Sequence, residues 1–266
     1  MGSLIARWVS SPLRHYRLFF NFTRQEFFGQ FAASVGGAVW LFVTPIVNII
    51  IYSFVFSVVF RAPVPEAFGD VSFVVFLMIG YLPWFAFADA VGKSPGMLIE
   101  KAPLITKVMF PVQLVPAVGA VVPYMVHGIA ILVFLVYLTI QGFFSLMWLW
   151  MLPILFLQML FTMGLVAILS ALCVFLRDVQ QIVVLMLTAW FFLTPIIYPL
   201  SMLPEVMQGY MLLNPMHSFV QFYRELLLLG QFSMSSFVIL APCAIVSYLL
   251  GGWFFMRIRH AFGDVL

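Results

Sequence analysis

The sequence predicts an all-α membrane protein that crosses the bilayer six times, and three observations predict it. The 266 residues are 65% apolar and only 8% charged, with a mean hydropathy of +1.15, far from the roughly one quarter charged residues of a soluble domain. Six nearly uncharged stretches reach about the length a helix needs to cross ~30 Å of hydrocarbon: 35–60, 71–88, 114–140, 146–176, 179–200 and 237–256. Six crossings put both termini on one face, and ten of the twelve lysines and arginines fall on that face, leaving Arg61 and Arg224 opposite. The positive-inside rule makes it cytoplasmic.

The chain begins with a basic segment, 1–34, holding Arg7, Arg14, Arg17 and Arg24. It has neither the apolar core nor the small-residue cleavage site of a secretory signal, so it is expected to be retained. Leu13, Tyr16, Phe19, Phe20, Phe27, Phe28 and Phe31 recur at helical spacing with charges mostly between them. That pattern predicts a helix lying in the interface, either a basic anchor for the first span or a docking element for a cytoplasmic partner. The sequon Asn21-Phe22-Thr23 falls on the cytoplasmic side and reads as accidental. Residues 35–266 form a single transmembrane domain.

The second span is expected to end near Asp89, where a helix can break into water. Gly92-Lys93-Ser94 follows, but a nucleotide-binding loop requires a glycine where Phe87 stands, and a span precedes it instead of a soluble strand. Any ATP-driven work therefore needs another polypeptide. Between spans two and three, a short amphipathic piece at about 96–108 carries Glu100, Lys101 and Lys107 between Pro95 and Pro111. It reads either as a stiff element that transmits a push or as a positive loop that sets topology.

From Phe175 to Met216 come the pair Arg177-Asp178, about twenty uncharged residues ending Thr194-Pro195-Ile196-Ile197-Tyr198-Pro199, and then Asn214-Pro215-Met216. The charge pair and the prolines bound the fifth span, 179–200. Arg177 and Asp178 are expected to cap helix ends and hold the cytoplasmic turn. The connection 201–236 is too long and apolar for a simple loop; two short helices broken at Asn214-Pro215 fit it, re-entrant or interfacial because neither can span. They form a gate at the outer mouth or a static lid.

Catalytic chemistry is nearly missing. The spans are bare of ionisable groups, which mark proton, ion and substrate paths in lipid; His127 stands alone mid-span and reads as a hydrogen-bond partner of a neighbouring helix. His15, His127, His217 and His260 are too dispersed for a metal motif. Cys173 and Cys243 lie in apolar runs as buried thiols. No catalytic residue, metal ligand or cofactor site emerges, and nothing points to nucleic acid.

The run Lys101-Ala102-Pro103-Leu104-Ile105-Thr106-Lys107-Val108-Met109-Phe110-Pro111, then Phe175-Leu176-Arg177-Asp178-Val179, Phe191-Phe192-Leu193-Thr194-Pro195-Ile196-Ile197-Tyr198, Leu213-Asn214-Pro215-Met216 and Phe262-Gly263-Asp264 resemble the permease subunit of bacterial ABC exporters for polysaccharides and polyol phosphates. The exporters of O-antigen, capsular glycan and teichoic acid are the most similar. The resemblance covers nearly the whole chain through the order and spacing of these motifs. It implies two copies of this chain paired with two copies of a cytoplasmic ATPase that holds ATP and magnesium, in the bacterial inner membrane. It also implies a coupling helix at Glu100 to Lys107, a pore lined by the first and fifth spans, a gate in 201–236, and a lipid-linked glycan as cargo.

Aromatic rings suit sugar faces, so Trp40, Tyr52, Phe56, Trp190, Phe191 and Tyr198 on those two spans are the candidate channel residues. Aromatics also collect at membrane interfaces for their own reasons. The basic N-terminal residues either steer a lipid pyrophosphate or bind anionic membrane headgroups. A permease for a drug or lipid, and an intramembrane enzyme acting on lipid-linked sugar, are the alternative functions; the bare spans speak against the enzyme.

Overall fold

The computed structural model describes residues 2–32, 35–59, 64, 68, 69, 71–107 and 110–266, with the side chains of all of these except 3, 45, 53 and 56–58. Arg61 of the charge count, Val108 and Met109 of the coupling motif, and the Phe56 side chain lie outside that description. All regular structure among the described residues is helical. In chain order the helices are α1 (Gly2–Arg14), α2 (Tyr16–Ala32), α3 (Trp40–Ser53), α4 (Phe73–Lys93), α5 (Met97–Glu100), α6 (Ala102–Lys107) and α7 (Leu114–Ile140). There follow α8 (Met151–Phe175), α9 (Val179–Leu193), α10 (Glu205–Tyr210), α11 (Pro215–Arg224), α12 (Met234–Ile258) and α13 (Phe262–Val265).

Four helical segments are long and apolar enough to cross a membrane: α4, α7, α8 with its leading turn from Leu146, and α12 with α13. The expected bounds need correction at two places. The second span does not break at Asp89 but runs on to Lys93, because Lys93 reaches back one turn to the Asp89 carboxylate at 2.9 Å and keeps both charges on the helix. The helix expected over 179–200 ends at Leu193, since Pro195 disfavours helical backbone in the residue before it and Thr194 is extended, and it is too short to count among those four. Its 15 residues rise only about 22 Å at 1.5 Å each. The first continues from α3 into a π-helical turn, Phe54–Val59.

The core is built around α4, of which 83% of the apolar window is buried. Small residues allow its neighbours to close in, as they do where lipid supplies no hydrophobic drive for helix association. At the α8–α12 crossing a Cβ on Gly251 would collide with the backbone of Gly164, and one on Gly164 with the backbone of Ser247. The Ser247 hydroxyl donates to the Phe161 carbonyl at 2.8 Å across the same contact. On the far side of α12, Trp8 of α1 covers Gly252 and meets Tyr248 and Phe255 at 5.9 and 5.7 Å between ring centroids.

A polar seam crosses this core. Gln158 of α8 donates to the Pro83 carbonyl of α4 at 2.9 Å and accepts from the Tyr223 hydroxyl of α11 at 2.8 Å. Thr162, one turn on, donates to the Gln158 carbonyl and meets the Tyr124 hydroxyl of α7 at 2.7 Å. Buried polar groups are affordable only when paired in this way.

The bundle has two ends of different character. Arg259 bonds Gln113 at one end, and Lys101 pairs with Glu26 there; the Arg177-Asp178 turn belongs to the same end. At the other, Trp150 meets Phe232 and Gly230 sits against Ser145. Gly230 has φ +63°, left-handed backbone that ends the π-helical turn Glu225–Leu229 after α11.

Candidate functional site

The two motifs at 190–198 and 214–216 form one structure near the end opposite the basic residues. The Trp190 indole N–H donates to Asn214 Oδ1 at 2.8 Å, and Asn214 Nδ2 donates to Thr194 Oγ1 at 3.0 Å. The same Oδ1 accepts from the Met216 amide at 3.1 Å, so Asn214 is also the N-cap of α11, with Pro215 in the first turn where its missing N–H costs nothing. Thr194 Oγ1 in turn donates at 2.8 Å to the Trp190 carbonyl, which also accepts the Thr194 amide at the end of α9. Tyr198 folds back to donate to the Phe192 carbonyl at 2.8 Å.

Arg224 completes the join from beneath. It is 2% exposed, and its guanidinium donates to the carbonyls of Pro195 and Ile196, both at 2.8 Å, and at 3.4 Å to that of Phe76. Its carbon centre lies 3.6 Å from the centroid of the Phe76 ring, a cation–π contact. Gly80 makes room: a Cβ there would come within 2.9 Å of Val220 and 3.3 Å of the guanidinium. Carbonyl oxygens and a ring face take the place of a carboxylate, and one side chain binds α11 to α4 and to the segment leaving α9. The connection 201–236, expected as two short helices forming a gate or a static lid, is thus two unlike parts, an exposed α10 and an α11 with eight buried residues, Arg224 among them.

Five of the six aromatic candidates for a channel have described side chains, and within one chain these five have different surroundings. Trp190 and Phe191 pack on α4, against Phe87 at 5.2 Å and Trp84 at 5.6 Å. Tyr52 shares a 2.6 Å hydrogen bond with Tyr81 of α4. Tyr198 is half-buried in its turn, whereas Trp40 is 52% exposed and borders a cavity with Tyr81, Phe85 and His127. His127 is not isolated, for its Nε2 lies 3.5 Å from Asp89.

At the basic end the expected coupling segment is α5 and α6, with a turn at Lys101. Lys101 pairs with Glu26 of α2 and lies 5.5 Å from the Phe22 ring centroid, and Phe22 meets Phe110 edge-on at 5.5 Å. The loop is therefore clamped to the N-terminal helix, while Glu100 and Lys107 are exposed. A cavity of about 430 Å³ opens beside it, bordered by Glu26, Lys93, Glu100, Lys101 and Gln180. The aromatic residues of α2 do not make one buried face: Phe22 is buried, but Tyr16, Phe20 and Phe28 are exposed. Arg177 and Asp178 are exposed too, and Asp178 stands at the N-cap of α9 without accepting a hydrogen bond there. Backbone bonds from residues 179–182 hold that turn.

Residues 17–228, from α2 to the end of the second π-helical turn, match the ABC-2 type transporter family. The chain belongs to that family. Among similar ABC-2 transporters, an O-antigen export system permease protein of Klebsiella pneumoniae is 29% identical over 92% of this chain and 93% of its own. One of the same name from Myxococcus xanthus is 33% identical over 83% and 84%. A polysialic acid transport protein of Escherichia coli is 25% identical over 84% and 85%.

The joined α9–α11 segment and the clamped α5–α6 loop lie at opposite ends of the bundle. The sequence pattern places Arg224 among loop charges and does not single out Gln158 or Tyr223. One signal was available: Arg224 stands in the apolar run Phe219 to Leu229, and a cation in such surroundings needs an internal partner. Nothing local announced that Asn214 answers Trp190, 24 residues away.

Proposed function

We propose that this chain is the permease subunit of an exporter that moves a lipid-linked polysaccharide across the bacterial inner membrane. The observation that carries it is the likeness, along more than four fifths of the chain, to permeases named for O-antigen export and polysialic acid transport. In this reading α3 with its π-helical turn, and α9, are the first and fifth of six crossings. Both termini are cytoplasmic, a topology supported by the basic residues at one end of the bundle. Two copies form the path together, and α3 and α9, whose apolar side chains are largely exposed, are the faces that meet the second copy or the cargo.

The N-terminal segment 1–34 and the α5–α6 loop rest on two copies of a separate ATPase, which binds ATP and magnesium. Glu100, Lys101 and Lys107 receive its push. Trp40, Tyr52, Phe56, Trp190, Phe191 and Tyr198 border the path, and Asn214, Pro215 and Met216 belong to the outer gate. Arg177 and Asp178 mark the turn into the fifth crossing.

The test is to reconstitute the chain with its ATPase in vesicles and measure ATP hydrolysis with lipid-linked glycan, drugs and ordinary lipids. Stimulation by glycan alone is the expected result; stimulation by drugs or ordinary lipids alone would replace the reading with a permease for those compounds. Leu185→Cys on the exposed face of α9 should form a disulfide-linked pair of permeases in the membrane, and an exclusively monomeric product would remove the paired arrangement.

A further inference from the structure

At the basic end, α1 carries Arg7, Ser11 and Arg14 one and two turns apart, and His15 follows in the turn to α2. This spacing sets the four on one helix face. The face closes a cavity of about 250 Å³ against the start of α7 and the end of α12, which contribute Gln113 and Arg259. None of the residues bordering the cavity is acidic, and no ion pair among the described residues involves Arg7, Arg14 or Arg259. Arg259 is steadied by donating to Gln113 Oε1 at 3.1 Å, and it feels the charge of Arg7.

Ser11 gives the independent pointer to a ligand. It is 3% exposed, borders the cavity, and its hydroxyl is buried with no hydrogen-bond partner among the described residues. A buried hydroxyl without a partner is destabilising, and three arginines beside it repel one another unless an anion sits between them. Arginines seeking only headgroups at the surface, or favourable placement at a helix C-terminus, would not need that hydroxyl.

We propose that this cavity binds a phosphate group, with the arginines giving charge-assisted hydrogen bonds and Ser11 a further one. The phosphate is either the headgroup of an anionic lipid, as basic pockets between membrane helices on the cytoplasmic side take, or a free phosphate. The site is independent of the export reading and needs neither ATPase nor glycan.

Binding is measured on the purified, delipidated full chain, by native mass spectrometry with phosphatidylglycerol or phosphatidylcholine and by calorimetry with inorganic pyrophosphate. Phosphatidylglycerol should bind about tenfold more tightly than phosphatidylcholine. Arg14→Gln and Arg259→Gln should each weaken it about tenfold, the scale of one charge-assisted hydrogen bond, and Ser11→Ala severalfold at an unchanged melting temperature. Arg17→Gln and Arg24→Gln, on the same basic segment but outside the cavity, should change it less than about twofold. If Arg259→Gln does not fold, Ser11→Ala and Arg14→Gln decide. Selective loss in these variants with no competition by pyrophosphate assigns a lipid headgroup; pyrophosphate that binds and competes assigns a free phosphate. Equal losses in all the arginine variants, unchanged binding in Ser11→Ala and Arg14→Gln, or no binding of either probe would overturn the site.

Discussion

The block around α4 and the pair α3 and α9 are equally apolar, yet one is interlocked along its length and the other is held at a few points and leaves most of its apolar side chains exposed. In the block, glycines at 80, 164, 251 and 252 admit a neighbouring backbone or a large side chain, and Gln158, Thr162, Tyr124 and Tyr223 hydrogen-bond across helices. Helices α3 and α9 contain no glycine. Among the described side chains each buries one apolar residue, Leu41 in α3 and Val183 in α9, while Ile50, Phe54, Leu185 and Met186 are among many left exposed. Greasiness alone does not make helices associate in lipid; close approach and polar pairing do. The pair therefore presents most of its apolar surface outward from the bundle.

The contrast can be broken most severely at Gly251. Gly251→Leu should cost about 4 kcal/mol or more, the range reserved for overpacked cores, and abolish a monodisperse folded protein in detergent. Leu185→Ala in α9 should shift the melting midpoint by less than about 0.5 kcal/mol equivalent. Comparable effects at the two positions would erase the distinction between the regions.

Arg224→Met asks whether the join between the regions depends on the guanidinium. Removing it leaves the Pro195 and Ile196 carbonyls buried without donors, at about 1–3 kcal/mol each. A fall in stability of about 3 kcal/mol, with impaired export in whatever protein folds, is expected from thermal melts and a transport assay; a methionine variant as stable as the parent would mean that the cation is dispensable.

Asn214→Ala removes a helix cap together with the bonds to Trp190 and Thr194, and should cost about 1–2 kcal/mol. Because it loosens α11 from α9 and leaves the α8–α12 crossing untouched, hydrogen exchange should rise over 190–216 and stay unchanged over 160–170. Uniform exchange across both would show that the regions move as one. The smallest effect belongs to Arg177→Ala, whose exposed side chain makes no hydrogen bond or ion pair among the described residues: stability should remain within about 0.5 kcal/mol of the parent, and a larger loss would establish the charge pair as a clamp.

Several elements were legible in the linear order. Pro195 announced a helix end because its effect on the preceding residue is local, though the apolar residues beyond it drew the expected boundary seven positions too far. Asn214-Pro215 announced a helix start for the same kind of reason. Asp89 misled because a lone carboxylate suggests a helix end until its partners Lys93 and His127 are seen beside it. The packing of Trp190 and Phe191 on α4 was not legible, because ring chemistry says nothing about which side of a helix faces α4.

The sequence by itself determined that this is a helical membrane protein, which end is basic, and where prolines interrupt it. These follow from solvation, charge and backbone geometry acting within a few residues. Only the tertiary structure decided that Arg224 grips the carbonyls of Pro195 and Ile196, that Asn214 answers Trp190, and that Gly164 and Gly251 meet. Each joins segments 20 or more residues apart through contacts that leave no period in the chain. In lipid, hydropathy cannot choose among helices of equal greasiness, so the choice falls to shape and to the few polar groups that must find one another.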